Sequence, residues 1–341
     1  MRAIIVLSLL CVHATWGLPG TGSVYTGWHE RVGVKIAQNI QQYETVHFNS
    51  PIVGGNVASV NAHPYLAGLL INVFGLNAPS ACGGSILTPT RILTAAHCWN
   101  DGMFQAWRFE VVLGSPFLFH GGLRMFTSSI AVHQNYDHRT FANDIAMLYL
   151  PMHIPFNNQI RPITLPFGQF LTFDYTGSWA LASGYGRYSD FTTPTTNTMV
   201  RNVVLQVISL EQCRRVYGSN VILDSNVCTN GSGGVGICQG DSGGPLTIFA
   251  NGGQEILLGV SSFVAYDGCE LGHPSAFASI VSKKCSNNEK YRSNPQCEQL
   301  LLRVGLDAYN KMAVPYIFLK TNNVFSCRQA VFCDLHPELN P

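Results

Sequence analysis

From Ile52 onward the chain reads as short alternating or wholly apolar runs broken by glycine, proline and asparagine, for example 65–73, 108–113, 146–150, 203–208 and 256–260. Strand-forming residues between turn residues at this spacing predict an all-β protein, a barrel or a sandwich. The stretch 161–166, with Pro162 and Pro166, reads as a connection between two halves. Residues 18–51 have a different texture: a polar, poorly periodic prelude with a helix around 32–40, ending at Ser50-Pro51. Ahead of it, Arg2 precedes the apolar run 3–10, and small residues follow at Ala14, Thr15 and Gly17. That is the pattern of a secretory signal peptide, here 1–17. The run is too short to span a bilayer, and no later segment is apolar enough, so a secreted, soluble protein is expected.

Charge narrows the partners. Only 11% of the 341 residues are charged and the formal net charge is +1, which argues against nucleic acid or an anionic membrane. Of eleven cysteines, Cys11 falls in the signal, leaving ten: Cys82, Cys98, Cys213, Cys228, Cys238, Cys269, Cys285, Cys297, Cys327 and Cys333. An even number in an exported chain favours disulfides. None of the spacings forms the paired C-x-x-C units of a zinc site, and no metal or cofactor is expected.

Three local patterns carry chemistry. Ser242 stands between glycines in Gln239-Gly240-Asp241-Ser242-Gly243-Gly244-Pro245. Such a backbone suits an exposed nucleophile with N–H donors beside it, although a Gly-rich turn is the plainer reading. His97, in Thr94-Ala95-Ala96-His97-Cys98, differs from the other histidines in having a neighbouring cysteine able to fix its position. Asp144 heads the apolar run Ile145-Ala146-Met147-Leu148, where a carboxylate is costly to bury without a partner, unless it merely caps a turn. The order His97, Asp144, Ser242 is one of the known chain orders of a nucleophile–base–acid triad.

With Ile52-Val53-Gly54-Gly55 added, these motifs make residues 52–284 resemble the chymotrypsin-like serine endopeptidases, and most nearly the secreted insect chymotrypsin-like or elastase-like enzymes. The resemblance implies two antiparallel β-barrels, about 52–165 and 166–284, with the active site in the cleft between them. It implies Ser242 as nucleophile, His97 as general base and acid, Asp144 as its orienter, and an oxyanion hole from the Gly240 and Ser242 amides. It further implies the bridges Cys82–Cys98, Cys213–Cys228 and Cys238–Cys269. A fourth bridge of vertebrate members is absent, with Ala180 and Ile248 at the matching positions. Substrate backbone would pair with Ser262-Phe263-Val264.

The same resemblance puts Gly236, six residues before Ser242, at the floor of the specificity pocket, with Val264 and Ser275 as walls. No carboxylate stands there to hold Lys or Arg, so cleavage after uncharged residues of medium size is expected. No carboxylate lies between Glu110 and Asp137, so calcium is not expected there. Asn230-Gly231-Ser232 is an N-glycosylation sequon or a bare turn. In the family a cut before Ile52 frees an amine that pairs with Asp241. Here the preceding residue is Pro51, which trypsin does not recognise.

The expectation is therefore a secreted digestive endopeptidase made as a zymogen, with propeptide 18–51 and an atypical Cys-containing extension 285–341. Its partners would be protein or peptide substrates, an activating protease and protein protease inhibitors. The competing reading, carried by Pro51, is a protease-like binding or regulatory protein without turnover.

Overall fold

The computed structural model describes residues 27–47, 62–187, 200–250 and 252–281. The signal peptide 1–17, Pro51, Ile52 and the extension 285–341 with its four cysteines lie outside them.

Among the described residues, thirteen strands form two antiparallel sheets. The first sheet comprises β1 (Leu66–Val73), β2 (Ser80–Thr88), β3 (Arg91–Thr94), β4 (Ala106–Leu113), β5 (Leu123–Thr127), β6 (Ile130–Val132) and β7 (Ala146–Tyr149). Their spatial order is β5-β4-β1-β2-β3-β7-β6. No ladder joins β5 to β6 among the described residues, yet only Ser128 and Ser129 separate the two in the chain. Two residues span at most about 10 Å, so the end of β5 and the start of β6 lie close together, and the first sheet is a half-barrel whose two edge strands are joined by the chain at this point. Tyr149 N donates to Ser129 O at 2.9 Å and Thr127 Oγ1 to Tyr149 O at 2.6 Å, which pins the junction to β7.

The second sheet is a closed barrel in the order β10-β13-β12-β11-β8-β9. It comprises β8 (Trp179–Gly184), β9 (Arg201–Ile208), β10 (Asn226–Thr229), β11 (Pro245–Phe249), β12 (Glu255–Phe263) and β13 (Ser275–Ser279). Alternation of apolar residues fills its centre with Ala180, Ala182, Leu205, Leu246, Ile248, Leu258 and Phe277. Ala180 and Ile248 pack in this core as ordinary apolar side chains, both nearly inaccessible.

The two barrels share apolar surface. The core of barrel one, around Leu69, Ile71, Ile92, Phe109 and Leu148, continues onto Leu257, Val260 and Ala278 of barrel two. The connection 161–166 crosses between them: Ile163 N donates to Ile86 O, and Thr164 bridges to Ile256.

Two helices complete the described residues. The short α2 (Leu210–Tyr217) starts at a capping box in which Ser209 and Gln212 satisfy each other's backbone N–H groups. The other, α1 (Val34–His47), follows a π-wound turn at His29–Gly33 and extends the expected helix by seven residues to His47. The prelude is not a loose leader. Ile36, Ala37, Ile40 and Tyr43 are buried, the first three against Leu66, Leu70, Ala81, Val112, Leu118 and Tyr185 on the outside of barrel one.

Candidate active site

His97 sits on a single 3-10 turn (Ala96–Cys98) directly after β3. The Cys82–Cys98 disulfide ties that turn to β2, so the imidazole's place is fixed by a neighbouring strand. Asp144 arrives from a strained loop: Phe141 and Asn143 adopt φ of 55° and 53°, a region that residues with side chains avoid. Its carboxylate is fully buried and takes three donors. His97 N reaches Oδ1 at 2.9 Å, His97 Nδ1 reaches Oδ2 at 2.7 Å, and Ser262 Oγ donates to Oδ2 at 2.5 Å. A proton on Nδ1 facing a carboxylate leaves Nε2 as the basic nitrogen of the ring.

Ser242 lies where the barrels touch, in the turn just before β11. Its carbonyl accepts from Gly83 N of β2 at 2.7 Å, and Gly243 N donates to Ser261 O at 2.8 Å. The neighbouring glycines are required by space. A Cβ on Gly243, at φ 82°, would collide with Thr94 Oγ1 and the Gly83 carbonyl. Gly240 has φ 100°, and a Cβ there would lie 2.7 Å from Ile36 Cγ2 and 2.9 Å from Gly186 Cα. Neither the Gly240 nor the Ser242 amide donates a hydrogen bond among the described residues. Nor does a hydrogen bond join Ser242 Oγ to His97 there, although such contacts often tighten only with substrate bound.

The Asp241 side chain enters a niche that exists because Gly184 and Gly186 lack side chains; a Cβ on either would strike its carboxyl group. Gly186 N and Cys238 N donate to it at 2.8 and 2.9 Å. Burial outweighs these bonds and pushes the carboxyl up to about 6.

Gly236 and Ser275, two of the expected pocket residues, lie together. A side chain on Gly236 would meet Ser275 Oγ at 2.6 Å, and Ser275 Oγ accepts from Ile237 N at 3.1 Å. Phe263 pairs with Ala276, which brings Val264 and Ser275 to one end of the β12–β13 ladder. The Cys238–Cys269 bridge links the segment before Ser242 to the loop after β12. Cys213–Cys228 joins α2 to β10. Phe263 also packs against Tyr217 and Phe141, at 5.5 and 5.8 Å between ring centroids. Asn230 occupies a turn, its Oδ1 accepting from Ser232 N at 2.9 Å.

Some contacts have no counterpart in the sequence reading. Ser262, expected to pair with substrate, also holds Asp144 through its hydroxyl. Less expected still is the occupant of the cleft. Trp28 stands edge-on to His97, with ring centroids 4.6 Å apart, and Phe141 flanks the imidazole at 5.4 Å. His29 follows, with its N–H donating to Asp101 Oδ2 at 2.8 Å and Nδ1 paired with Ser80 Oγ at 2.9 Å. At the other end of α1, buried Glu44 accepts from Leu118 N, Phe119 N and His120 Nδ1 at 2.6, 2.8 and 2.9 Å. The aromatic Trp28 and the acid within an apolar helix face are the sequence signals for this docking.

Comparison with known proteins agrees with this geometry. The family model described as Trypsin matches residues 52–285. Collagenase of Hypoderma lineatum is 33% identical over 232 residues, covering 68% of this chain and 84% of the relative. Brachyurin of Leptuca pugilator is 35% identical over 233 residues, covering 67% and 94%. A solved structure of HL collagenase gives a TM-score of 0.59 at 32% identity, covering 69% of this chain and 95% of that chain.

Proposed function

We propose, for a chain that belongs to the trypsin family of serine-type endopeptidases, that peptide bonds are hydrolysed through an acyl-enzyme on Ser242. The observation that carries this reading is the buried His97–Asp144 pair, held at two points and braced by Ser262, beside a serine at the barrel junction. The roles of the three residues follow those of the family's triad. Ser242 Oγ attacks the scissile carbonyl while His97 Nε2 takes its proton. Asp144 stabilises the imidazolium, which then protonates the leaving amine. Water repeats the sequence in reverse on the acyl-enzyme. The Gly240 and Ser242 amides receive the oxyanion, where each well-placed donor contributes about 100-fold in rate or more.

Substrates would be proteins or peptides cut after uncharged residues of medium size, since Gly236 and Ser275 supply no charge and Val264 adds bulk. The protein would be exported with loss of 1–17, serve digestion, and be subject to protein protease inhibitors. It would be held as a zymogen until another protease cuts between Pro51 and Ile52. The new amine would then enter the Asp241 niche and order the pocket, because an unpartnered buried carboxylate is costly.

A fluorophosphonate probe applied to the chain cut before Ile52 tests the reading. We expect labelling at Ser242 and a fall in turnover of about 10⁵-fold or more for Ser242→Ala. A cut chain that neither labels nor turns over would favour the non-catalytic reading suggested by Pro51, and a peptide library showing preference for Lys or Arg would refute the pocket assignment.

A further inference from the structure

Residues 27–47 touch the machinery of the proposed peptidase at both reacting halves. Trp28 packs edge-on against the His97 ring, which has no accessible surface and also touches Phe141. Ile36 packs on Gly240, the residue two before Ser242. The Arg31 guanidinium lies over the Tyr266 ring of barrel two at 5.8 Å. Anchors on barrel one hold both ends: His29 on Asp101 and Ser80, Glu44 on the 118–120 turn. Gly33 fits against Ser80 and Trp28 only because it has no side chain.

All these contacts are made within 27–47 and are non-covalent, and the stretch 18–51 holds no cysteine. Cutting the chain before Ile52 removes none of them. We infer that residues 27–47 form an inhibitory module that remains seated across the active-site cleft after that cut, so that activity requires release of the segment as well as cleavage. The inference rests on the peptidase reading of His97 and Ser242. A substrate chain cannot reach an imidazole that has no accessible surface while Trp28 is packed against it. Aromatic side chains in enclosed contacts dominate the affinity of such segments, and the rest of the helix supplies apolar burial.

The experiment uses the full chain with residues 47–51 replaced by Asp-Asp-Asp-Asp-Lys, so that enteropeptidase generates a terminus at Ile52. Cleavage is followed by gel and N-terminal sequencing, turnover by an uncharged peptide amide. At high protein concentration we expect cleavage to finish well before activity appears. About hundredfold dilution should release it, because a cut segment is a dissociable ligand. Trp28→Ala in the same background should shorten the delay about tenfold or more. Ile36→Ala and Glu44→Gln give the same readout should Trp28→Ala fail to fold. Activity rising in step with cleavage in the parent, independent of dilution, would overturn the inference while leaving the peptidase reading intact. A verified cut without turnover or fluorophosphonate labelling in parent and variants alike would overturn both.

Discussion

At the scale of single residues, the site depends as much on missing side chains as on reactive ones. Gly243 combines a left-handed φ of 82° with the approach of Thr94 and Gly83 from the other barrel. Gly243→Ala must therefore strain its own backbone and push the barrels apart. We expect a loss of roughly 3 kcal/mol or more in the uncut chain, read from its denaturation midpoint. The Gly-Asp-Ser-Gly-Gly motif is legible in the sequence as unusual backbone; the identity of the neighbours that demand it is not. That crowding comes from β2 and β3, about 150 to 160 residues earlier in the chain, a distance over which no local pattern speaks. Ser262 shows the same limit: its place on a strand is readable, its hydroxyl's bond to Asp144 is not.

Secondary-structure elements show which signals are strong. Runs of strand-forming residues mark β1, β4 and β9 nearly to their observed ends, and β12 to within three residues of its C-terminal end; β9 shows period-2 alternation, whereas β1 and β12 are buried almost throughout and read as continuous apolar runs. The short α2 has too few turns to show a period, and only Ser209 and Gln212 announce it as a capping signature. Helix α1 is visible only in part, since its apolar residues and Glu44 make sense only against the surface that receives them. This element also carries a titration. Burial holds the His29 imidazole down to about 4, partly opposed by the Asp101 carboxylate and reinforced by His97. Its Nε2 is buried without a hydrogen bond among the described residues. The docked segment therefore binds fewer protons than the undocked one. Its stability from this group is complete above pH 6.5 and is lost as pH falls towards 4, by about 3 kcal/mol. Glu44, raised by burial beside His120, works in the opposite sense. The His29 part is isolated by comparing His29→Gln with the parent: the protection factors of the α1 amides, corrected for the intrinsic slowing of exchange in acid, should fall on acidification from pH 7 to 4.5 in the parent, and clearly less in the variant.

Across the whole molecule, the activation proposed above would make Asp241 the link between processing of the chain and the state of the site. In the uncut chain its carboxyl is raised to about 6, above the ordinary 3.8. The folded state thus favours the protonated form, and the contribution is fully present below pH 3.8. It disappears as pH rises through 6, at a cost of up to about 3 kcal/mol. Asp241→Asn should flatten that part of the stability profile in the uncut chain, measured by denaturation between pH 4 and 7. The same change should lower kcat/KM of the chain cut before Ile52 by about 100-fold or more, because the new amine would lack its partner. A variant that activates normally would show that the niche has no part in activation. The two-barrel architecture is readable through motifs, whereas how closely the edge strands of the first sheet approach one another is not, since it depends on how far the sheet curls.

That junction carries a vulnerability of its own. Two exposed serines, Ser128 and Ser129, held by Tyr149, are all that joins the two margins of the first sheet along the chain. A single nick between them would leave the reactive groups untouched and free two sheet borders, each open to another strand.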